Sequence, residues 1–141
     1  MRFAKKTALL AALLLPAWIS AHASDSPLDK AIQAGKQTYS HETFGGNGRT
    51  CETCHANGGV GPGKLPNGKA IPSLSNAAAI FPRYNPKAKR VLTLGDQIGK
   101  CIANALQGTP PAAGSETIAE LAAYVTSLSQ GKPIDMGGKP Q

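Results

Sequence analysis

From Phe44 to Arg90 the chain is dense in Gly, Pro and Asn, and its apolar residues keep neither a helical nor a strand period. A span that long without regular structure is unusual inside a compact domain, because its ordering entropy and backbone polar groups need compensation. The rest of the chain offers little bulk for that purpose. Aromatic residues are 5% of the 141 positions, and the 16 Gly and 11 Pro imply much loop. A hydrophobic content of 41% nevertheless argues against wholesale disorder. The length suits one domain and is too short for two independent cores. Such a chain folds most readily around a bound apolar group.

Three flanking stretches carry helix signals. In the first, Ser26 caps, Pro27 suits the first helical position, and Leu28, Ile32, Gly35 and Tyr39 recur on one face. In the second, Thr93 and Asp96 have capping-box spacing. Leu94, Ile98, Cys101, Ile102, Ala105 and Leu106 then line one side, and Gly108 and Pro110 stop the helix. In the third, Thr117 and Glu120 lie near the start. Ile118, Leu121, Ala122, Val125 and Leu128 form its stripe, and Gly131 and Pro133 end it. No strand is expected anywhere, and the tail after Gly131 reads as short and polar.

Inside the irregular span lies Cys51-Glu52-Thr53-Cys54-His55, which is C-x-x-C-H. This is the attachment signature of haem c. Two thiols one helical turn apart add to the two vinyl groups on one porphyrin edge, and the next residue presents an imidazole to the iron. Burying ~400 Å² of porphyrin at ~25 cal/mol/Å² supplies ~10 kcal/mol, comparable with the stability of a small domain. The rival chemistries fit less well. A thioredoxin-type dithiol needs a preceding strand and a βαβ pattern. A zinc site from Cys51, Cys54, His55 and Cys101 lacks the usual two close ligand pairs. A Cys51–Cys54 disulfide leaves His55 unexplained.

The start of the chain reads as a leader. Arg2, Lys5 and Lys6 form a basic head, Ala8 to Ala17 is apolar, and Ala21-His22-Ala23 is a small-x-small cleavage site. The apolar run falls short of the roughly 20 residues that cross a bilayer, which disfavours an uncleaved anchor. Residues 1–23 are expected to be a signal peptide and residues 24–141 the working domain, delivered to a periplasm with no stable membrane span after cleavage. Export also argues against a nucleic-acid partner.

The second axial ligand is less plain. Met136 has the precedent of small cytochromes but lies beyond the third helix. His41 ends the first helix; a lysine or an open site are further options. Cys101 is the odd cysteine, on the apolar face of the second helix, and spacing alone leaves it equally a ligand or a small buried hydrophobe.

With these residues in view the chain resembles the class I c-type cytochromes, and more narrowly the SoxA and thiosulfate dehydrogenase haem domains. The resemblance runs from about Gly35 to Gly131. It rests on the Cys51 to His55 motif, Phe81-Pro82-Arg83-Tyr84, Val91-Leu92-Thr93-Leu94 leading to Ile98 and Cys101, and Leu121, Tyr124, Ser127 and Leu128 before Gly131-Lys132-Pro133. It implies an all-α, single-domain class I fold over residues 24–141, with about three main helices and long loops around one covalent haem c. It implies that Cys51, Cys54 and His55 bind the cofactor, with His55 and Cys101 on the iron. It also implies sulfur-compound oxidation, either as an electron carrier or as a thiosulfate-oxidising enzyme or its haem subunit. A second cytochrome subunit or a sulfur anion then joins the partners. That family usually has an arginine four positions before the cysteine, where this chain has Gln97. A thiolate ligand favours Fe(III) and lowers the reduction potential relative to methionine.

Charge points to the partner. The formal net charge is +7. Between Glu52 and Asp96 there is no acid, whereas Lys64, Lys69, Arg83, Lys87, Lys89 and Arg90 are basic. Such a face steers an acidic redox partner or an anionic substrate towards the site. Gly45-Gly46-Asn47-Gly48 follows no strand, so it reads as tight turns beside the haem and not as a nucleotide loop.

Overall fold

The computed structural model describes residues 26–141; the leader lies outside the described residues. Three long helices carry the fold: α1 (Pro27–His41), α4 (Leu94–Asn104) and α5 (Glu116–Ser127). Between α1 and α4 lie two single-turn helices, α2 (Cys51–Cys54) and α3 (Ala77–Ile80), with a 3₁₀ turn at Asn57–Gly59.

Local chemistry sets the ends of these helices. At α1, Asp29 N–H donates to Ser26 Oγ at 3.1 Å, and Ser26 N–H donates to Asp29 Oδ2 at 3.0 Å. Thr93 and Asp96 make the same reciprocal pair at α4, at 3.1 and 2.8 Å. Each box satisfies two of the orphan donors of a helix start. At α5 the cap is Ser115, which accepts from Ile118 N–H. The helix therefore begins before Thr117, because Ser115 is the hydroxyl three residues ahead of the first buried residue.

The apolar stripes meet in one core. Tyr39, Ile102, Leu106, Ile118, Leu121, Tyr124 and Val125 are buried together, with Ile32, Leu94, Ile98 and Leu128 packed against them. Leu28 departs from its stripe and is 62% exposed. The α1–α5 crossing is close because position 35 has no side chain. A Cβ at Gly35 would fall on the Glu120 carbonyl.

The irregular span is more ordered than its sequence suggests. It holds two antiparallel hairpins, β1 (Gly63–Lys64) with β2 (Ala70–Ile71), and β3 (Arg83–Asn85) with β4 (Arg90–Leu92). Strands of two and three residues are too short to show alternation, so the residue pattern does not reveal them. The glycine-rich turn lies against the end of α4, where Asn47 N–H donates to the Leu106 carbonyl at 2.8 Å. A side chain at Gly46 would strike that same carbonyl. The turn thus satisfies a carbonyl left over at the helix end.

The tail also folds back. Asp135 and Gly137 N–H donate to the Ala79 and Ile80 carbonyls at 2.8 and 3.0 Å. Buried Asn76 closes the clasp, donating to the Lys139 carbonyl and accepting from Gln141 N–H. Among the described residues no helix is long and apolar enough to cross a membrane.

Candidate cofactor site

Helix α2 is a single turn, so its two cysteines stand one turn apart, with His55 directly after. Thr50 N–H donates to Thr53 Oγ1 at 3.0 Å, and His55 N–H closes the turn on the Cys51 carbonyl at 2.9 Å. Two tyrosines from different helices hold the backbone from His55 to Gly58. Tyr39 O–H of α1 donates to the His55 carbonyl at 2.5 Å. Tyr124 O–H of α5 donates to the Gly58 carbonyl at 2.9 Å. Their rings meet edge to face with centroids 5.2 Å apart. Glu52 completes the frame by accepting from Gly58 N–H at 2.9 Å.

This frame turns His55 and Cys51 towards a cavity of ≈ 340 Å³, a size usual for cofactor sites. Leu74, Ile80, Leu92, Leu94, Ile98 and Val125 make its walls apolar. Cys101 of α4 lines the same cavity, as does Gln97 one turn earlier. Gln97 Nε2 donates to Cys101 Sγ at 3.5 Å. Cys54, the second cysteine of the motif, is buried and does not line the cavity.

The electrostatics are those of a dry pocket. Burial, reinforced by the nearby Cys101, pushes the Cys51 thiol up to about 12. Burial also raises the Cys101 thiol, with the Gln97 hydrogen bond pulling the other way. Burial lowers the pKa of His55, so its imidazole is neutral at pH 7 and has a lone pair to give. Its Nδ1 is buried without a hydrogen-bond partner. All three cysteines are free.

These residues fit a covalently attached porphyrin. Two free thiols stand one turn apart, Cys51 at the wall of an apolar cavity and Cys54 buried behind it, and a neutral imidazole next to them has an unsatisfied nitrogen. They do not fit zinc, because among the described residues no three His, Cys, Asp or Glu gather closely enough to hold an ion. The other ligand candidates sit elsewhere. Met136 is 66% exposed, in a tail whose neighbouring backbone pairs with α3. His41 is exposed, with Nδ1 3.1 Å from the Gln37 carbonyl.

Sequence reasoning singles out Cys51, Cys54, His55 and Cys101, and the structure brings three of these to one cavity. It misses the frame. The helical period marks Tyr39 as a core residue, but nothing local reveals that its hydroxyl grips the histidine backbone, nor that Glu52 ties down Gly58.

An all-α domain with a C-x-x-C-H turn at an apolar cavity is a c-type cytochrome domain. The family described as SoxA/TsdA, cytochrome c domain, matches residues 34–134, and the chain belongs to that family. Its cofactor is haem c. The chain is 34% identical over 104 residues to a thiosulfate dehydrogenase of Stutzerimonas stutzeri, covering 74% of this chain and 31% of that protein. It is 32% identical over 134 residues to a thiosulfate dehydrogenase of Allochromatium vinosum, covering 87% and 46%. The solved thiosulfate dehydrogenase (TsdBA) of Marichromatium purpuratum in its as-isolated form shares the fold. Its TM-score is 0.62 at 22% identity, over 81% of this chain and 25% of that one. The chain thus spans less than half the length of these relatives.

Proposed function

We propose that residues 24–141 form a periplasmic monohaem cytochrome that passes electrons in sulfur-compound oxidation, with residues 1–23 removed as a signal peptide. Cys51 and Cys54 hold the porphyrin by thioether bonds, and His55 and Cys101 bind the iron. Bound there, haem c supplies a one-electron Fe(III)/Fe(II) couple. The chain's own residues do the rest. The apolar walls exclude water, and the Tyr39 and Glu52 hydrogen bonds keep the His55 segment from reorganising. The observation that carries this reading is that His55 and Cys101, from separate elements, line one apolar cavity while Met136 and His41 do not.

The test is electron paramagnetic resonance of the oxidised holoprotein beside Cys101→Ala and Met136→Ala. Cys101→Ala is expected to change the low-spin signal and Met136→Ala to leave it alone. An unaltered Cys101→Ala spectrum overturns the ligand assignment.

A second reading, a thiosulfate-oxidising enzyme or its haem subunit, is favoured by relatives that are thiosulfate dehydrogenases. Steady-state thiosulfate oxidation by the pure protein separates the two. Turnover establishes the enzyme; electron exchange without turnover leaves the carrier. The partner is a redox protein acidic at its contact, drawn by Lys64, Lys69, Arg83, Lys87 and Lys89; Arg90 is engaged by Asp96 at 3.1 Å. A second cytochrome subunit is a further candidate for that role.

A further inference from the structure

Gln97 and Cys101 are four residues apart on α4, so their side chains share one face of the helix. Both line the cavity, and the Gln97 amide reaches the Cys101 sulfur at 3.5 Å. The amide orientation follows from chemistry. A thiolate sulfur only accepts, so the NH₂ end must face it and the amide oxygen must point away. The contact is anchored from below, because Gln97 N–H is held in the first turn by the Thr93 carbonyl at 3.1 Å. Among the described residues Gln97 is the side chain hydrogen-bonded to this sulfur.

We propose that Gln97 is a positioning residue that weakens the electron donation of Cys101 to the iron and so raises the reduction potential of the site. This rests on the His55/Cys101 ligation proposed above. A hydrogen bond to a metal-bound sulfur draws negative charge towards the donor. Less charge is then left to stabilise Fe(III), the more positive of the two states. The same bond holds the Cys101 side chain in one rotamer, which narrows the range of iron–sulfur geometries. Gln97 therefore offsets part of the low potential that a thiolate ligand imposes, without itself touching the iron.

The experiment uses haem-loaded full-length protein, produced with cytochrome c maturation. The midpoint potential and the low-spin resonance are measured for wild type, Gln97→Leu, Gln97→Ala and Gln97→Arg, with Cys101→Ala alongside. Leu and Ala differ in size but both lack the donor, so both are expected to lower the potential by a similar amount. Gln97→Arg restores a donor to the sulfur and is expected to return the potential to the wild-type value or above it. A purely structural role predicts a graded effect of side-chain volume and no rescue by arginine. Unchanged potentials in both donor-less variants overturn the proposal, as does an arginine variant lowered as far as they are. If Cys101→Ala leaves the resonance unchanged, the ligation itself has failed, and the role of Gln97 falls with it. If Cys101→Ala alters the resonance but the Gln97 variants do not follow the donor order, only the role of Gln97 is refuted.

Discussion

Replacing Tyr39 with Phe removes one oxygen from the centre of the site and little else. Tyr39 is 1% exposed, and its ring packs edge-on against Tyr124. Phe keeps that packing and fills the same space. The loss is the O–H bond to the His55 carbonyl. A buried acceptor stripped of its donor costs about 1–3 kcal/mol. Tyr39→Ala should cost more, about 3–5 kcal/mol, because the ring and its contacts are lost as well. The assay is guanidinium unfolding of the holoprotein followed by far-ultraviolet circular dichroism. The acceptor is the backbone of His55, so Tyr39→Phe is also expected to broaden the low-spin resonance. Tyr124→Phe removes the parallel bond to Gly58. The two rings touch, so the double variant should depart from additivity by at least about 0.5 kcal/mol. A Tyr39→Phe protein within about 0.3 kcal/mol of wild type, with an unchanged resonance, refutes the reasoning.

Gly35→Ala places a Cβ on the Glu120 carbonyl and must push α1 from α5; it is expected to cost about 1–3 kcal/mol, read as a lowered melting temperature. Asp96 has its pKa held below the ordinary carboxylate range, first by the Arg90 side chain and then by hydrogen bonds from Thr93. Its contribution is therefore complete above the unfolded carboxylate value of about 4 and is lost as pH falls through the lower folded value. The group is at the surface, so the effect is small and screened by salt. Asp96→Asn should flatten the acid limb of the stability curve, measured by denaturant midpoints against pH; an acid limb as steep as that of wild type would contradict the assignment. Protein made without haem attachment is expected to be largely unfolded, and a compact, cooperatively melting apo-form by circular dichroism would count against that.

Much of the fold is legible in the sequence because its signals are local. The Ser26–Asp29 and Thr93–Asp96 boxes are complete within four residues, and the Cys51 to His55 spacing is complete within five. A helix start or a one-turn thiol pair depends only on neighbours along the chain, so the residue string states it outright. The start of α5 is less clear, since Ser115 and Thr117 are both competent caps and the choice falls to whichever lets Ile118 and Leu121 reach the core. The hairpins at residues 63–71 and 83–92 leave no trace, because two- or three-residue strands are held by their pairing and not by their pattern.

The arrangement around the cofactor belongs to another level. Cys101 lies on an apolar stripe in the sequence, but a stripe does not say which cavity it faces. That depends on α4 packing against α5 while α2 is held by Tyr39. Tyr39 meets His55 across 16 positions and Tyr124 meets Gly58 across 66. Asn76 meets the tail across more than 60, and the same folding back leaves Met136 on the surface. Capping, turn chemistry and attachment spacing act through atoms a few bonds apart along the backbone. Contacts between distant segments exist only once the core has fixed the path of the chain, and they decide which side chains face the cavity.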